Sequence, residues 1–381
     1  RYGVQVNSLG LTEQQPENNV YRILIEMLAV TLSKNARARA VQLPAWNEAL
    51  GLPRPWDQQW SMRMQQIMAF ETDLLEYEDL FDGNPTIEAK VARLKDEARH
   101  ELASLDAQGG AIEAIGYMKS RLVESNTQRL NKIASKETTV VGVNKFTTGE
   151  PSPLTAGDGG IMTVDPAVEQ DQVDRLNAWR SARDDASVAS ALRSLRAAAQ
   201  AGENIMPASI AAAKAGVTTG EWAAQMRLIY GEYRGPTGVA RGVSNKSEGL
   251  DEIREAVDLV SQKLGRRLGF LMGKPGLDGH SNGAEQIAAR ARDCGMEIAY
   301  DGIRLTPEQL IASVQEHQPH VIGLSILSGS HIPLVEDMMK RLQLAQLDNI
   351  PVVVGGIIPQ EDMTRLTAMS VAKIYTPKDF E

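Results

Sequence analysis

Three side chains with complementary chemistry lie close together along the sequence: Lys274, Asp278 and His280. A histidine that ligates a metal usually donates its other ring N–H to a carboxylate, which fixes the tautomer and strengthens the ligating nitrogen. Asp278 can accept that hydrogen bond from His280, and Lys274 can hold Asp278 in its ionised form. The alternative is a loop histidine that makes one ordinary hydrogen bond. These residues alone do not separate the two interpretations.

The elements around this group predict that it lies at the edge of a parallel sheet. An apolar run at 267–272 predicts a buried strand, glycine and proline residues end it, and a helix is predicted at about 283–294. Strands and helices then alternate to the end of the chain, with strands at 296–300, 320–326, 351–355 and 371–375 and helices near 306–317, 332–344 and 360–368. We therefore expect an α/β fold, with a doubly wound sheet in a Rossmann-like strand order of the flavodoxin type. Such sheets bind ligands at the carboxyl ends of their strands, where the loop with His280 lies.

Three short motifs in this region resemble the signature of cobalamin-binding domains. Asp-x-His-x-x-Gly, Ser-x-Leu and Gly-Gly occur in this order, each at the carboxyl end of a predicted strand, as Asp278 to Gly283, Ser325 to Leu327, and Gly355-Gly356. The resemblance implies that His280 binds cobalt in place of the cofactor's own benzimidazole, and that the displaced nucleotide tail enters a slot beside the sheet. It implies further cofactor contacts from Lys274, Asp278, Gly279, Gly283, Ser325, Leu327, Gly355, Gly356, Tyr375 and Thr376.

The small number of potential metal-ligating residues is consistent with a metal held in a corrin ring. A transition-metal site built from protein alone needs three or four side-chain ligands. This chain has one cysteine and five scattered histidines. A single histidine is sufficient only where a macrocycle already supplies the in-plane ligands, as a corrin does for cobalt.

The front half predicts a β-α-β unit followed by helices. Alternating residues at 2–6, an apolar stripe at 16–32 and a second strand at 38–43 imply parallel pairing. Further along, the sequence predicts helices from 56 onward, at 87–105 and at 112–133, a short strand at 138–146 and a Gly/Pro/Ser/Thr-rich linker at 147–164. It then predicts helices between 166 and 234, a Gly-bearing connector at 234–248 and a helix at 250–264.

The first 146 residues are similar to the end of the substrate barrel in the methylmalonyl-CoA mutase family of adenosylcobalamin-dependent acyl-CoA mutases. The matching stretches are Gln5 with 11–14, 18–19, 47–50, 52–53, 109–110 with Ala114, and 141–145. The stretch around His280, residues 272–286, resembles the ethylmalonyl-CoA mutase branch of that family. We therefore expect the C-terminal part of a TIM-barrel substrate domain at 1–146, a linker and helical region at 147–262, and a cobalamin-binding domain at 263–381.

The resemblance implies an isomerase that carries out a radical rearrangement of an acyl-CoA, with ethylmalonyl-CoA converted to methylsuccinyl-CoA in the ethylmalonyl-CoA pathway of acetyl-CoA assimilation. It implies that Gln5 contacts the substrate or the adenosyl group, although Gln5 could instead make a hydrogen bond within a barrel layer. It implies that Glu48 binds the adenosyl ribose hydroxyls, although Glu48 could instead be an acid at a helix N-terminus. A closed barrel needs eight strands in roughly 200–250 residues. Only two barrel-type strands precede the linker, so we expect the chain to begin within a longer protein.

Two other functions stay open at this point. Methylmalonyl-CoA mutase, or another acyl-CoA mutase, would differ only in the acyl pocket. A corrinoid carrier or sensor would bind the cofactor without chemistry of its own, and the helices at 166–262 would suit a cap over it. The predicted β-α-β unit argues against the carrier.

Composition limits the partners and the compartment. The net charge of −9 without a basic stripe argues against nucleic acid, and no apolar run approaches the ~20 residues of a membrane helix. One cysteine fits a reducing cytoplasm. The family resemblance adds an acyl-CoA substrate, a homodimer, and a G-protein chaperone for cofactor loading and repair.

Overall fold

The computed structural model describes residues 2–156, 160–162, 165–239, 250–376 and 379. The chain divides into two compact units, one formed by Arg1–Thr163 with Pro236–Glu381 and the other by Val164–Gly235. Parts of the predicted linker at 147–164, and of the connector between the helical unit and the last segment, lie outside the described residues. None of the helices in the described ranges is long and apolar enough to cross a membrane.

The front of the larger unit contains the predicted β-α-β unit. Its elements are β1 (Tyr2–Gln5), α1 (Asn18–Leu32), β2 (Ala38–Gln42), α2 (Pro55–Phe70), α3 (Pro85–Ala107) and α4 (Ile115–Ala134). β1 and β2 pair in parallel, with Val4 opposite Val41 and Gln5 opposite Gln42. The apolar stripe of α1 covers this pair because Ile23 and Met27 pack in one buried cluster with Val6, Leu43 and Met68.

One prediction in this part was wrong. Residues 138–146 form no strand; they contain a turn at 142–144, flanked by a single bridge between Val141 and Lys145. The side chain of Asn144 closes the turn by accepting from the Val140 N–H and donating to the carbonyls of Ile133 and Thr138. These local bonds satisfy the polar groups that a strand would have offered to a neighbour.

The smaller unit is helical, as predicted. It contains α5 (Pro166–Ala182), α6 (Asp185–Gln200), α7 (Met206–Ala215) and α8 (Thr219–Tyr230). Side chains of Asp165, Asp184 and Thr218 cap the first turns of α5, α6 and α8. Arg183 donates to both carboxylate oxygens of Glu221 at 2.7 Å, which ties the start of α8 to the turn between α5 and α6.

The last segment is an α/β sheet with helices between its strands. Its elements are α9 (Asp251–Leu264), β3 (Gly269–Gly273), α10 (Asn282–Asp293), β4 (Glu297–Ala299), α11 (Pro307–His317), β5 (Val321–Ile326), α12 (His331–Leu344), β6 (Val352–Gly356), α13 (Gln360–Ala368) and β7 (Lys373–Tyr375). The strand order is β4-β3-β5-β6-β7 and every pair is parallel, so the predicted flavodoxin-type order is confirmed.

Burial explains why the central strands lack an alternating pattern. Every residue of β3 is buried, as are five of the six in β5, because helices cover both faces of a doubly wound sheet. The strand order reverses between β3 and β5. Their carboxyl ends therefore form the crevice in which open α/β sheets bind ligands.

Candidate cofactor site

The loop after β3 holds three predicted residues in a chain of contacts. The Lys274 Nζ lies 2.6 Å from Oδ2 of Asp278, and the other oxygen of Asp278 lies 2.6 Å from Nδ1 of His280. The backbone N–H of His280 also donates to Oδ1 of Asp278 at 3.0 Å. Side-chain exposure rises from 0% at Lys274 and 4% at Asp278 to 81% at His280. The imidazole of His280 is therefore exposed to solvent, while the charged groups of Lys274 and Asp278 behind it are buried.

The electrostatics of Asp278 fix the histidine tautomer. Burial would raise the pKa of Asp278, but hydrogen bonds from Lys274 and His280 outweigh it and hold the pKa at about 2. An ionised carboxylate can only accept hydrogen bonds, so Nδ1 of His280 carries the proton. Nε2 of the neutral ring then has a free lone pair, the form in which imidazole binds metals.

Asp278 also connects the loop to the end of β5, across the reversal in strand order. Its Oδ2 accepts from the backbone N–H of Leu327 at 3.3 Å, and the Lys274 Nζ donates to the carbonyl of Ser325 at 3.4 Å. Ser325 is itself buried. Two of the three cobalamin-type motifs thus meet at one buried carboxylate.

The third motif lies beside them in the sheet. Gly355 on β6 is paired with Ser325 on one side and with Tyr375 on the other. Tyr375 is half exposed, and Thr376 donates its N–H and hydroxyl to Asp379. The predicted contacts from β5, β6 and β7 therefore form a row at the carboxyl edge.

The predicted glycines differ in what surrounds them. A Cβ at Gly356 would collide with the carbonyl oxygen of Ile326, so the close approach of β5 and β6 requires glycine there whether or not a ligand binds. A Cβ at Gly283 would meet none of the described atoms within 4 Å. Gly283 lies in the first turn of α10, so this space borders the loop with His280.

A polar seam between α4 and α10 was not foreseen from the sequence. The Lys119 Nζ lies 2.6 Å from Oε1 of Glu285, whose side chain is 6% exposed, and 3.3 Å from the Ser281 hydroxyl. The side-chain amide of Gln286 bonds to the hydroxyl of Thr127 at 3.0 Å and to a backbone carbonyl of α4 at 3.2 Å. The helix that follows His280 is thus held by the front part of the chain.

The two predicted catalytic residues lie at the ends of the barrel-type strands. Gln5 is the exposed last residue of β1, and Glu48 is exposed in the turn that follows β2. In the described ranges, no hydrogen bond or ion pair joins either side chain to the loop with His280. The turn nevertheless lies next to β6, because a Cβ at Gly51 would be 3.5 Å from Cγ2 of Ile357.

A buried carboxylate holds the turn that carries Glu48. Asp57 accepts hydrogen bonds from the Trp46 indole at 2.9 Å, from the Asn47 amide at 2.8 Å and from the Arg54 guanidinium. Burial raises the pKa of Asp57, but these bonds have the larger combined effect and lower it. The backbone around Glu48 is therefore fixed by an ionised group behind it.

The side chains available as metal ligands suit a metal ion whose other ligands come from a cofactor. In the part of the chain that the structure describes, no group of three or more His, Cys, Asp or Glu side chains could hold a metal ion. His280 offers one outward-facing nitrogen, oriented from behind by an ionised carboxylate. That arrangement suits a metal that needs one ligand from the protein because a macrocycle such as a corrin supplies the others.

Comparison with known proteins identifies the family. Residues 1–232, more than half of the chain, match the family model described as methylmalonyl-CoA mutase. The chain belongs to the methylmalonyl-CoA mutase family. Residues 269–376 match the family model described as B12 binding domain, which confirms the predicted cobalamin-binding domain. The predicted fold class, the end of a barrel-type domain followed by this sheet, is confirmed with it.

Relatives within the family match all or nearly all of this chain. The chain is 71% identical to an ethylmalonyl-CoA mutase of Cereibacter sphaeroides and 61% identical to one of Methylorubrum extorquens, each over 100% of this chain. It is 32% identical over 98% of its length to a methylmalonyl-CoA mutase of Escherichia coli. The chain spans 58%, 56% and 53% of these relatives, respectively.

Proposed function

We propose that this chain is the C-terminal portion of an adenosylcobalamin-dependent acyl-CoA mutase that converts ethylmalonyl-CoA to methylsuccinyl-CoA. The observation that carries the proposal is the exposed imidazole of His280, whose Nδ1 is held by an ionised, buried Asp278. The assignment of the substrate rests on the high sequence identity to two relatives named ethylmalonyl-CoA mutase.

The residues of the sheet hold and orient the cofactor. His280 would hold cobalt through Nε2, while Lys274 and Asp278 would keep the ring in the required tautomer. The nucleotide tail of the cofactor would be held in a slot bordered by Gly279, Gly283, Ser325, Leu327, Gly355, Gly356, Tyr375 and Thr376. Bound adenosylcobalamin supplies the radical chemistry of the carbon-skeleton rearrangement, and the protein supplies position and exclusion of water.

Gln5 and Glu48 act on the other side of the cofactor. Active sites of TIM barrels lie at the carboxyl ends of the strands, and both residues occupy that end of β1 or β2. The short distance between Gly51 and Ile357 supports the assignment, since it places the turn that carries Glu48 beside the end of β6. In this arrangement Gln5 contacts the substrate or the adenosyl group, and Glu48 accepts hydrogen bonds from the adenosyl ribose hydroxyls.

The wider organisation follows the family. Residues 1–146 end the substrate barrel, 147–262 connect it, and 263–381 form the cobalamin-binding domain. The protein acts as a homodimer in the cytoplasm, with a G-protein chaperone for cofactor loading and repair. The free thiol of Cys294 agrees with a reducing compartment.

Turnover by the full-length protein tests this proposal. With adenosylcobalamin bound, ethylmalonyl-CoA should be rearranged with a higher kcat/KM than methylmalonyl-CoA. The reverse preference would assign the protein to the methylmalonyl-CoA branch. Bound cofactor without turnover of either thioester would indicate a corrinoid carrier. The paired β1 and β2 and the family match over residues 1–232 argue against that outcome.

A further inference from the structure

Arg304 has an unusual backbone conformation next to the cofactor loop. It lies between β4 and α11 with φ +59°, a left-handed conformation that residues with side chains rarely adopt. Two backbone hydrogen bonds of the next residue hold Arg304 in this conformation. The Leu305 N–H donates to the carbonyl of Lys274 at 3.1 Å, and the Gly276 N–H donates to the carbonyl of Leu305 at 3.0 Å. Strain of this kind persists where the surroundings fix it, and it clusters at ligand sites.

The guanidinium of Arg304 lies over the residue that precedes His280. A Cβ at Gly279 would be 3.1 Å from Nη2 of Arg304. Asp278 is the neighbouring acid along the chain, and its oxygens are occupied by Lys274, His280 and the Leu327 N–H. No carboxylate in the described ranges forms an ion pair with Arg304, whose side chain is exposed. The guanidinium of Arg304 therefore lies near His280 without a carboxylate partner among the described residues.

The missing partner corresponds to one group of the proposed cofactor. Cobalamin carries a phosphodiester in its nucleotide tail, and this tail is displaced when a protein imidazole takes the lower position on cobalt. A planar guanidinium matches a phosphate with two parallel hydrogen bonds. We propose that Arg304 binds this phosphodiester and so helps to hold the displaced tail. The inference rests on the proposed function, since it requires the chain to bind cobalamin.

Two corrinoids separate the phosphodiester from the ring. Absorbance titration should show that Arg304→Met weakens the binding of aquocobalamin about tenfold or more, the effect of losing a charge-assisted hydrogen bond. Cobinamide has the corrin ring but lacks the nucleotide and its phosphodiester, so its dissociation constant should be unchanged. Equal weakening for both compounds, or no weakening for either, would overturn the proposal. Failure of the unsubstituted chain to bind aquocobalamin would instead overturn the proposed function.

A second variant separates binding from folding. Glycine accepts the left-handed conformation without strain, so Arg304→Gly should leave the melting temperature of the cofactor-free chain unchanged or raised. It should weaken aquocobalamin binding as strongly as Arg304→Met. Arg37 is a matched control, since it is exposed with φ +60° in the front part of the chain. Arg37→Gly should not change the affinity. A lower melting temperature for Arg304→Gly would show that the arginine serves the fold, and would refute the assignment.

Discussion

Replacing Asp278 by asparagine removes one charge from the centre of the site and keeps the shape of the side chain. The pKa of about 2, against an ordinary 3.8, means that the folded protein favours the carboxylate over the neutral acid by up to about 2 kcal/mol. Solvent screening reduces this to about 1–2 kcal/mol. The substitution also leaves the fully buried ammonium of Lys274 without its acid. We therefore expect a total loss of about 3 kcal/mol, at the lower end for a broken buried pair.

Urea unfolding of the cofactor-free protein measures the loss of stability, and titration with aquocobalamin measures the loss of binding. Asp278→Asn should weaken binding 10–100-fold, the usual effect of removing the group that orients a metal-ligating histidine. The double variant Lys274→Met/Asp278→Asn is the control. It removes both buried charges, so it should recover part of the stability while the affinity stays low, because His280 still lacks its carboxylate.

Two results would refute this reasoning. A stability loss below about 0.5 kcal/mol would show that Asp278 does not compensate the buried charge of Lys274. Recovery of cobalamin affinity in the double variant would show that the carboxylate acts only by neutralising the lysine and does not orient His280.

Gly283→Ala should stabilise the cofactor-free protein by up to about 1 kcal/mol, since alanine is the better helix former, yet weaken cobalamin binding; unchanged affinity would remove Gly283 from the slot. Gly356→Ala should lower stability by more than about 2 kcal/mol in urea unfolding because its Cβ meets the backbone of β5, and a mild effect would contradict that close approach. Lys119→Met should reduce both stability and cobalamin affinity because it leaves Glu285 buried without its partner, whereas Lys119→Arg, which keeps the positive charge, should retain both. An equal loss in Lys119→Arg would argue against the ion pair. The carboxylate of Asp278 should contribute fully to stability above about pH 4 and lose that contribution as the pH falls towards 2, because its pKa is lower in the folded than in the unfolded protein. In urea unfolding at successive pH values, the difference in stability between the unsubstituted protein and Asp278→Asn should therefore disappear over that range. A difference that does not depend on pH would contradict the low pKa.

The core of the site was predictable because its groups are close in sequence or follow strands. Lys274, Asp278 and His280 span one loop, so their types and spacing already indicate the contacts. The apolar runs that became β3 and β5 predict strands buried on both faces. The two other motifs follow strands of the same sheet, and parallel order brings their ends to one edge.

Other parts of the site depend on contacts that spacing does not reveal. Lys119 and Glu285 are far apart in sequence, and each alone resembles a charge on a solvated helix. The left-handed conformation of Arg304 has no signature in its own residue type. At 138–146 the strand prediction failed because a strand-like run of residues does not reveal whether a neighbouring strand is available to pair with it, and Asn144 closes a turn there instead.

The central claim is that the protein, and not the cofactor's own base, supplies the lower ligand of cobalt through His280. Electron paramagnetic resonance of the cob(II)alamin-loaded protein tests it directly when the histidines carry ¹⁵N and the cofactor carries ¹⁴N. Ligation by His280 predicts a doublet superhyperfine splitting from ¹⁵N, which His280→Ala abolishes. A ¹⁴N triplet in the labelled protein would show that the benzimidazole stays on cobalt, and would contradict the account.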